Sequence, residues 1–533
     1  MFPILSIITF FPLVGAIALL CFPRRWERAI PWTALWVAGM NLLLAVALIL
    51  AYLALGTAPV GGTFPIHEPL QPLPWIPALG INYSLGVDGI SALLVALTAL
   101  LTVVCIGASF RIEPKIKNYM AFMLLLESGI IGVFLSTNLF LFYIFWELML
   151  IPAYFLVGSW GGERRIYAAI KFVLYTSVGS LLMLAGIIAL GYYHQQAVGG
   201  SYTLDLAALV NTKLDSGVQF WLLLAFAAAF AIKIPFVPFH SWLPDAYSEA
   251  PAPVTALLAG AMSKTGAYGF LRFCLPLFPN AVQTLAPLFN TLAVISILYC
   301  ALIALVQTDM KRLLAYSSIS HLGIVMLGMF AFNVQSIVAG SVIQNAQGVE
   351  GSVLQMVNHG ITTGALFLIA GFIEARTGTR RLGARDYEGR PLARRVPVLA
   401  TVMLIAVLSS LGLPGLNNFS GEFLALLGAF RNNPIFGTLG TAVVVPAAWY
   451  LSRFFLNVME GPRHVEGGVI TVAERKGALN KGTLSDLQQS EFLVLLPLLA
   501  LIFYIGVQPA PLTFLMEPSV LNTLQNIGNA FIH

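Results

Sequence analysis

The chain has 533 residues, 58% hydrophobic and only 10% charged, with a mean hydropathy of +0.86. Soluble domains carry about 25% charged residues, so this composition excludes an ordinary soluble protein and defines a polytopic membrane protein. The net charge of +5 does not point to nucleic acid, because the basic residues fall in loops between apolar runs.

The first run, MFPILSIITFFPLVGAIALLCFPRRW, has no basic stretch ahead of it, and its arginines follow it. It reads as a retained helix rather than a secretory leader. Apolar runs of about 20 residues, the length that spans a bilayer, follow one another at 3–22, 31–55, 85–109, 118–136, 138–158, 166–191, 218–240, 253–275, 283–306, 311–331, 353–375, 396–430, 434–459 and 491–510. They predict an all-α protein with fourteen transmembrane helices. Between the second and third lies 56–84, rich in proline and glycine and free of lysine and arginine, which reads as an ordered outer-face cap.

Two helices are predicted to break. In the seventh, Lys233 is followed by Pro235 and Pro238; proline lacks the backbone donor and clashes with the preceding turn. The twelfth, 396–430, is too long for one straight span and is interrupted by LGLPGLNNFSGEF around Pro414.

Charge sets the orientation. Of the 28 lysines and arginines, 22 fall in loops that follow odd-numbered helices and three on the opposite side, namely Lys213, Arg272 and Arg431. The positive-inside rule places the rich loops, including the polar segment 461–490, in the cytoplasm and both termini outside. A faint internal echo matches KFVLYTSVGSLLMLAG (171–186) with VNHGITTGALFLIAG (357–371), Gly179 aligning with Gly364. It pairs helix six with helix eleven, and the two breaks share that offset of five. An odd offset inverts topology, so the chain reads as two inverted five-helix repeats, helices 4–8 and 9–13. The implied division is 1–110 (helices 1–3 with the outer loop), 111–275, 276–460, and 461–533 (cytoplasmic loop and helix 14).

Seven ionisable residues lie well inside apolar runs: Glu127, Glu147, Lys233, Lys264, His321, His359 and Glu422. Any one alone can be a hydrogen-bonding device between helices. Lysine and glutamate are costly in hydrocarbon and mark ion or proton paths, and the order acid, base, imidazole, acid suits a proton relay. A nearby carboxylate holds a buried lysine charged, and withdrawal of that carboxylate releases the proton. Other polar residues take blander readings. Asp88 starts helix three. His240, Trp242, Asp245 and Glu249 shape the loop after the first break. Lys171 snorkels from a helix start. Asp309, Lys311 and Arg312 are solvated anchors at the cytoplasmic boundary, and Glu374 and Arg376 are interfacial.

Cys21, Cys105, Cys274 and Cys300 are scattered, with no C-x-x-C pair, and the sequence contains neither a dinucleotide-binding fingerprint nor a P-loop. If the protein serves a redox enzyme, the electrons travel elsewhere.

FWELMLIPAYFLVGSWGG, IKIPFVPFHSWLPDAYSEAPAPVTALLAG, MKRLLAYSSISHLG and QMVNHGITTGALF resemble the antiporter-like, proton-pumping subunits of respiratory complex I. The resemblance runs over helices three to thirteen. Fourteen helices without a long lateral extension, and LGVDGIS before helix three, resemble the M-type subunit (chain 4) rather than the longer L-type. The resemblance implies a proton-translocating membrane subunit of an NADH:quinone oxidoreductase, coupled at a distance to quinone reduction. It implies a pair of Glu147 with Lys233, a central Lys264, His321 and His359 from helices ten and eleven, Glu422 as the acid of the second broken helix, and Glu127 from helix four. It also implies no cofactor in this chain, with NADH, FMN, iron–sulfur clusters and quinone in partner subunits. L- and N-type sister subunits would be its neighbours, in a bacterial inner membrane or a thylakoid membrane. A multi-subunit cation/proton antiporter or a membrane-bound hydrogenase-type complex shares these motifs. A bare scaffold is the third reading, and the ionisable series argues against it.

Overall fold

The computed structural model describes residues 3–54, 64–112, 115–382, 391–460 and 485–532. Most of the polar 461–490 segment and part of the 56–84 cap lie outside the described residues. In hydrocarbon every backbone group must be paired within its own segment, so each apolar run closes on itself as a helix. In chain order these are α1 (Ile4–Cys21), α2 (Ile30–Ala54), α3 (Gly89–Ala108), α4 (Ile116–Leu135), α5 (Leu139–Leu148), α6 (Leu150–Trp160), α7 (Arg165–Val198), the short α8 (Leu206–Leu209) and α9 (Ser216–Lys233). After the first break come α10 (Trp242–Glu249), α11 (Ala252–Leu257), α12 (Lys264–Gly269), α13 (Leu275–Leu277), α14 (Pro279–Val306), α15 (Met310–Met329), α16 (Val334–Val338) and α17 (Val342–Thr377). The chain ends with α18 (Pro397–Ser410), α19 (Asn417–Asn432), α20 (Pro434–Thr441), α21 (Val444–Met459), α22 (Gln489–Val507) and α23 (Ala510–Ile532).

Twelve helices among the described residues are long and apolar enough to cross a membrane, with α5–α6 and α20–α21 each counting as one. The two predicted spans that fall short are both interrupted. Span 253–275 is divided by π-helical turns at Leu258–Met262 and Phe270–Cys274, on either side of α12. Span 396–430 divides into α18 and α19, with Gly412 at φ +75° and Gly415 at φ +92° in the gap. Those backbone angles suit glycine and stop a helix. The core lies among α3, α4, α15 and α17, the most buried spans, whereas α1, α2 and α7 present much of their surface outward.

The end of the bundle beside the start of α3 is more structured than an all-α reading expects. β1 (Ile66–Ile76) and β2 (Ile81–Val87) form an antiparallel hairpin. Glu68 on β1 accepts hydrogen bonds from Leu5 N (2.7 Å) and Ser6 N (3.2 Å), satisfying amides that a helix N-terminus leaves open. A second addition is α23, which follows the last predicted span and lies against α3, α16 and α17. Asp88 caps α3 as expected, accepting from Ser91 N at 2.9 Å, and it also holds the buried Arg272 guanidinium at 2.5 Å.

At the opposite end, charges are paired rather than free. Lys171 does not snorkel: its ammonium lies 2.7 Å from Asp245, which Arg312 also reaches at 2.9 Å. Lys311 is not a solvated anchor either. It is buried and pairs with Glu374 at 2.8 Å, because a lysine drawn beneath the surface needs a carboxylate partner. Arg376 pairs with Glu491 at the start of α22.

Candidate functional site

α9 stops at Lys233, and eight residues pass before α10 begins. Trp242 Nε1 donates back to Ile232 O at 2.9 Å, meeting one of the carbonyls that the break releases. Lys233 is fully buried, and its Nζ has no hydrogen-bond partner. Two aromatic faces surround it, Trp146 at 5.2 Å and Phe172 at 5.6 Å from the ring centroids, within cation–π range. Glu147 stands within electrostatic reach of the ammonium but does not touch it, and its Oε1 is also buried and unpartnered. The ion pair expected of Glu147 and Lys233 is therefore open in this structure.

Lys264 is the first residue of α12 and sits between the two π-helical turns. Such turns shift the backbone ladder and recur at functional sites. Here Ala259 O accepts from both Lys264 Nζ (2.5 Å) and Ser263 Oγ (2.8 Å). Gly266 lets the break come close: a Cβ there would lie 3.1 Å from Lys233 Cβ and 2.9 Å from Phe230 O. A glycine two residues from one lysine thus admits the backbone that carries the other.

From Lys264 a hydrogen-bonded line crosses three helices. Lys264 Nζ donates to His359 Nδ1 on α17 at 2.7 Å. The rings of His359 and His321 on α15 stand 5.6 Å apart between centroids. His321 Nδ1 donates to Glu422 Oε1 on α19 at 2.7 Å, and Gln355 Nε2 donates to the same oxygen at 2.9 Å. With Lys264 as an ammonium and Glu422 as a carboxylate, these contacts set the tautomers. An ammonium only donates, so His359 accepts at Nδ1 and carries its proton on Nε2. His321 donates from Nδ1, so in its neutral form Nε2 is an acceptor. Both Nε2 atoms are buried without a protein partner: one is a donor, the other an acceptor, on facing rings. Ser318 Oγ and Tyr247 Oη are likewise buried and unpartnered, and such atoms are where buried waters bond.

Glu422 has two faces. Its Oε2 is turned toward Gly412, where a Cβ would sit 3.1 Å away. Both residues line a cavity of about 380 Å³ with Phe419, Phe423, Phe430 and Thr441.

Of the seven predicted site residues, Lys264, His359, His321 and Glu422 are joined in one line. Lys233 and Glu147 stand beside it, unpaired. Glu127 is elsewhere: it is fully buried on α4 and receives a 2.8 Å hydrogen bond from Asn41 Nδ2 on α2. Sequence reasoning missed Gln355 and Asn41. Gln355 lies four residues before His359, hence on the same helix face, and that spacing was the available signal. Among the described residues no group of three or more histidine, cysteine, aspartate or glutamate side chains is placed to hold a metal ion.

Two broken helices and a buried line of acids, bases and imidazoles define an integral membrane protein of the ion-translocating class. The family model described as "NADH:quinone oxidoreductase/Mrp antiporter, TM" matches residues 136–445. The NADH-quinone oxidoreductase subunit M of Rhodobacter capsulatus is 39% identical over 98% of this chain and 96% of its own length. A chain of respiratory complex I from Thermus thermophilus with bound NADH superposes with a TM-score of 0.81 at 31% identity, covering 99% of both chains. A chain of the Mrp complex from Dietzia sp. DQ12-45-1b, 23% identical with a TM-score of 0.76 over 98% of this chain and 52% of that one, shares the fold. This chain belongs to the NADH-quinone oxidoreductase subunit M family, within the wider NADH:quinone oxidoreductase/Mrp antiporter family.

Proposed function

We propose that the chain translocates protons as the M-type membrane subunit of an NADH:quinone oxidoreductase, coupled at a distance to quinone reduction in partner subunits. The observation that carries this reading is the line Lys264–His359–His321–Glu422, continuous except for one donor–acceptor gap between imidazoles. A proton leaving Lys264 for His359 Nδ1 frees the Nε2 proton for His321, which passes its Nδ1 proton to Glu422. Each ring changes tautomer and returns to neutrality. Lys233 and Glu147 load or release the line from the first break. NADH, FMN, iron–sulfur clusters and quinone belong to partner subunits, and the L- and N-type sisters are the lateral neighbours.

In this reading the chain crosses the membrane fourteen times, the interrupted 252–277 and 397–432 segments each counting as a span, with both termini on the outer side of a bacterial inner membrane. Helices 4–8 and 9–13 form the inverted repeats, bounded at 111–275 and 276–460. Support comes from packing: α7 lies along the broken α9, and α17 along the broken α19. Single cysteines replacing the exposed Glu163 and Asp215 are expected to label from opposite membrane faces; labelling from one face refutes the topology.

The function is tested with the assembled complex in vesicles, following NADH-driven acidification and quinone reduction. Lys264→Met keeps the length of the side chain and removes the central base. It is expected to assemble and to lower pumping about a hundredfold, as loss of a positioned proton carrier does. Wild-type pumping by assembled Lys264→Met overturns the relay.

A further inference from the structure

Glu127 is the predicted station that stands clear of both the line and the Lys233–Glu147 site. Its helix turns a different face to the first break. On α4, a Cβ at Gly129 would lie 3.0 Å from the Met149 backbone, and one at Gly132 would run into the Phe145 ring at 2.2 Å. These glycines therefore face the Glu147-bearing segment. Glu127, two residues before Gly129, points about 200° around the helix from it. There it meets Asn41 of α2, and neighbouring Ser128 Oγ donates to Thr9 O of α1 at 2.6 Å.

The hydrogen bonds of this corner do not balance for an ionised carboxylate. Asn41 Nδ2 donates to Glu127 Oε1 at 2.8 Å. The other two oxygens, Glu127 Oε2 and Asn41 Oδ1, are both buried and have no partner. Both residues are fully buried. Among the described residues no lysine, arginine or histidine forms an ion pair with Glu127. An asparagine oxygen only accepts, and so does an ionised carboxylate. Two buried acceptors lack a protein donor, and a buried charge without a counterion or several donors is not kept. One proton on Oε2 resolves both faults: it neutralises the acid and supplies the missing donor.

We propose that Glu127 is a resident-proton site: a neutral carboxylic acid clamped to Asn41 in a two-point acid–amide pair, Asn41 Nδ2–H to Oε1 and Oε2–H to Asn41 Oδ1. The pair ties α2 to α4 outside the relay, and its proton stays in place while protons pass along the line. The inference uses the relay reading only to say what Glu127 is not. Its chemistry follows from the unbalanced hydrogen bonds.

The test uses the assembled complex in vesicles, with Glu147→Gln as a control for the relay itself. Glu127→Gln replaces the acid with an amide that offers the same donor and acceptor, so assembly and pumping are expected within about twofold of wild type, a change well below the tenfold of one pK unit. Infrared spectra of the wild-type complex are expected to show a protonated-carboxyl carbonyl band that vanishes in Glu127→Gln, shifts in Asn41→Leu, and does not change during turnover. If Glu127→Gln assembles and loses pumping together with Glu147→Gln, Glu127 is a relay station and the proposal falls. If Glu147→Gln also pumps as wild type, the relay reading fails and this site stands. If Glu127→Gln does not assemble, the Asn41→Leu spectrum decides: no responding carboxyl band overturns the proposal, as does pumping that depends on Na+ in wild type alone.

Discussion

The two breaks are the same backbone device with opposite side-chain outcomes. At the first, Lys233 ends α9 with its ammonium against aromatic faces and no hydrogen-bond partner. At the second, Glu422 sits in the second turn of α19 with one oxygen held by two donors, His321 and Gln355. A broken helix supplies room and free backbone groups, but the neighbours decide the state. The aromatic pocket leaves the Lys233 ammonium without a hydrogen-bond acceptor or a carboxylate in contact. Glu422 is already held by two donors on one oxygen. The first break thus leaves its charged side chain open, and the second holds its own in place.

The sharpest way to break that comparison is at the open end. Glu147→Gln is nearly isosteric and keeps the packing while removing the acid that faces Lys233; Lys233→Ala removes the cation. If the open pair is the control point, each assembles by native gel, lowers vesicle acidification about tenfold, equivalent to ~1.4 kcal/mol on the limiting step, and slows quinone reduction with it where coupling is tight. Wild-type pumping by both assembled variants makes the pair structural and removes the asymmetry.

Residue type told a great deal. Titratable groups in apolar runs stand out because burial is costly, so Lys233, Lys264, His321, His359 and Glu422 were legible one by one, as were the prolines and glycines of both breaks. Their partnerships were not. Lys264 meets His359 across 95 residues and His321 meets Glu422 across 101, and helix packing alone decides such pairs. The expected Glu147–Lys233 ion pair is open for the same reason: sequence names two charges but not the rotamers that separate them. Gln355 escaped because a neutral amide on a long helix looks like any other polar residue. Lys311 was misread because nothing in its local sequence shows Glu374, 63 residues on, folding over it. The π-helical turns around Lys264 are ladder shifts of a single hydrogen bond, which no hydrophobic pattern encodes. α23 was missed because its composition is mixed and it lies beyond the last strongly apolar run.

The smaller test lies at the closed end. Gln355 is fully buried, and a Cβ on Gly421 would lie 2.7 Å from its Oε1 and 2.8 Å from its backbone, so α19 rests directly on this residue. Its amide fixes which Glu422 oxygen faces His321 and leaves Oε2 toward Gly412 and the cavity. Gln355→Met preserves length and packing and removes one of two donors to that oxygen. A hydrogen bond to a charged group contributes about 1.5–3 kcal/mol, but His321 remains and the freed carboxylate turns toward the cavity, so only part of that is lost. The expected outcome is normal assembly, unchanged KM for quinone and pumping lowered a few-fold, less than for Lys233→Ala. The infrared carboxyl signal of Glu422, assigned by its loss in Glu422→Gln, is expected to shift in Gln355→Met, which a merely space-filling residue would not cause. An unmoved Glu422 signal with full pumping would show that His321 alone holds the acid. A loss as deep as that of Lys233→Ala would show that the closed end, not the open one, limits the line.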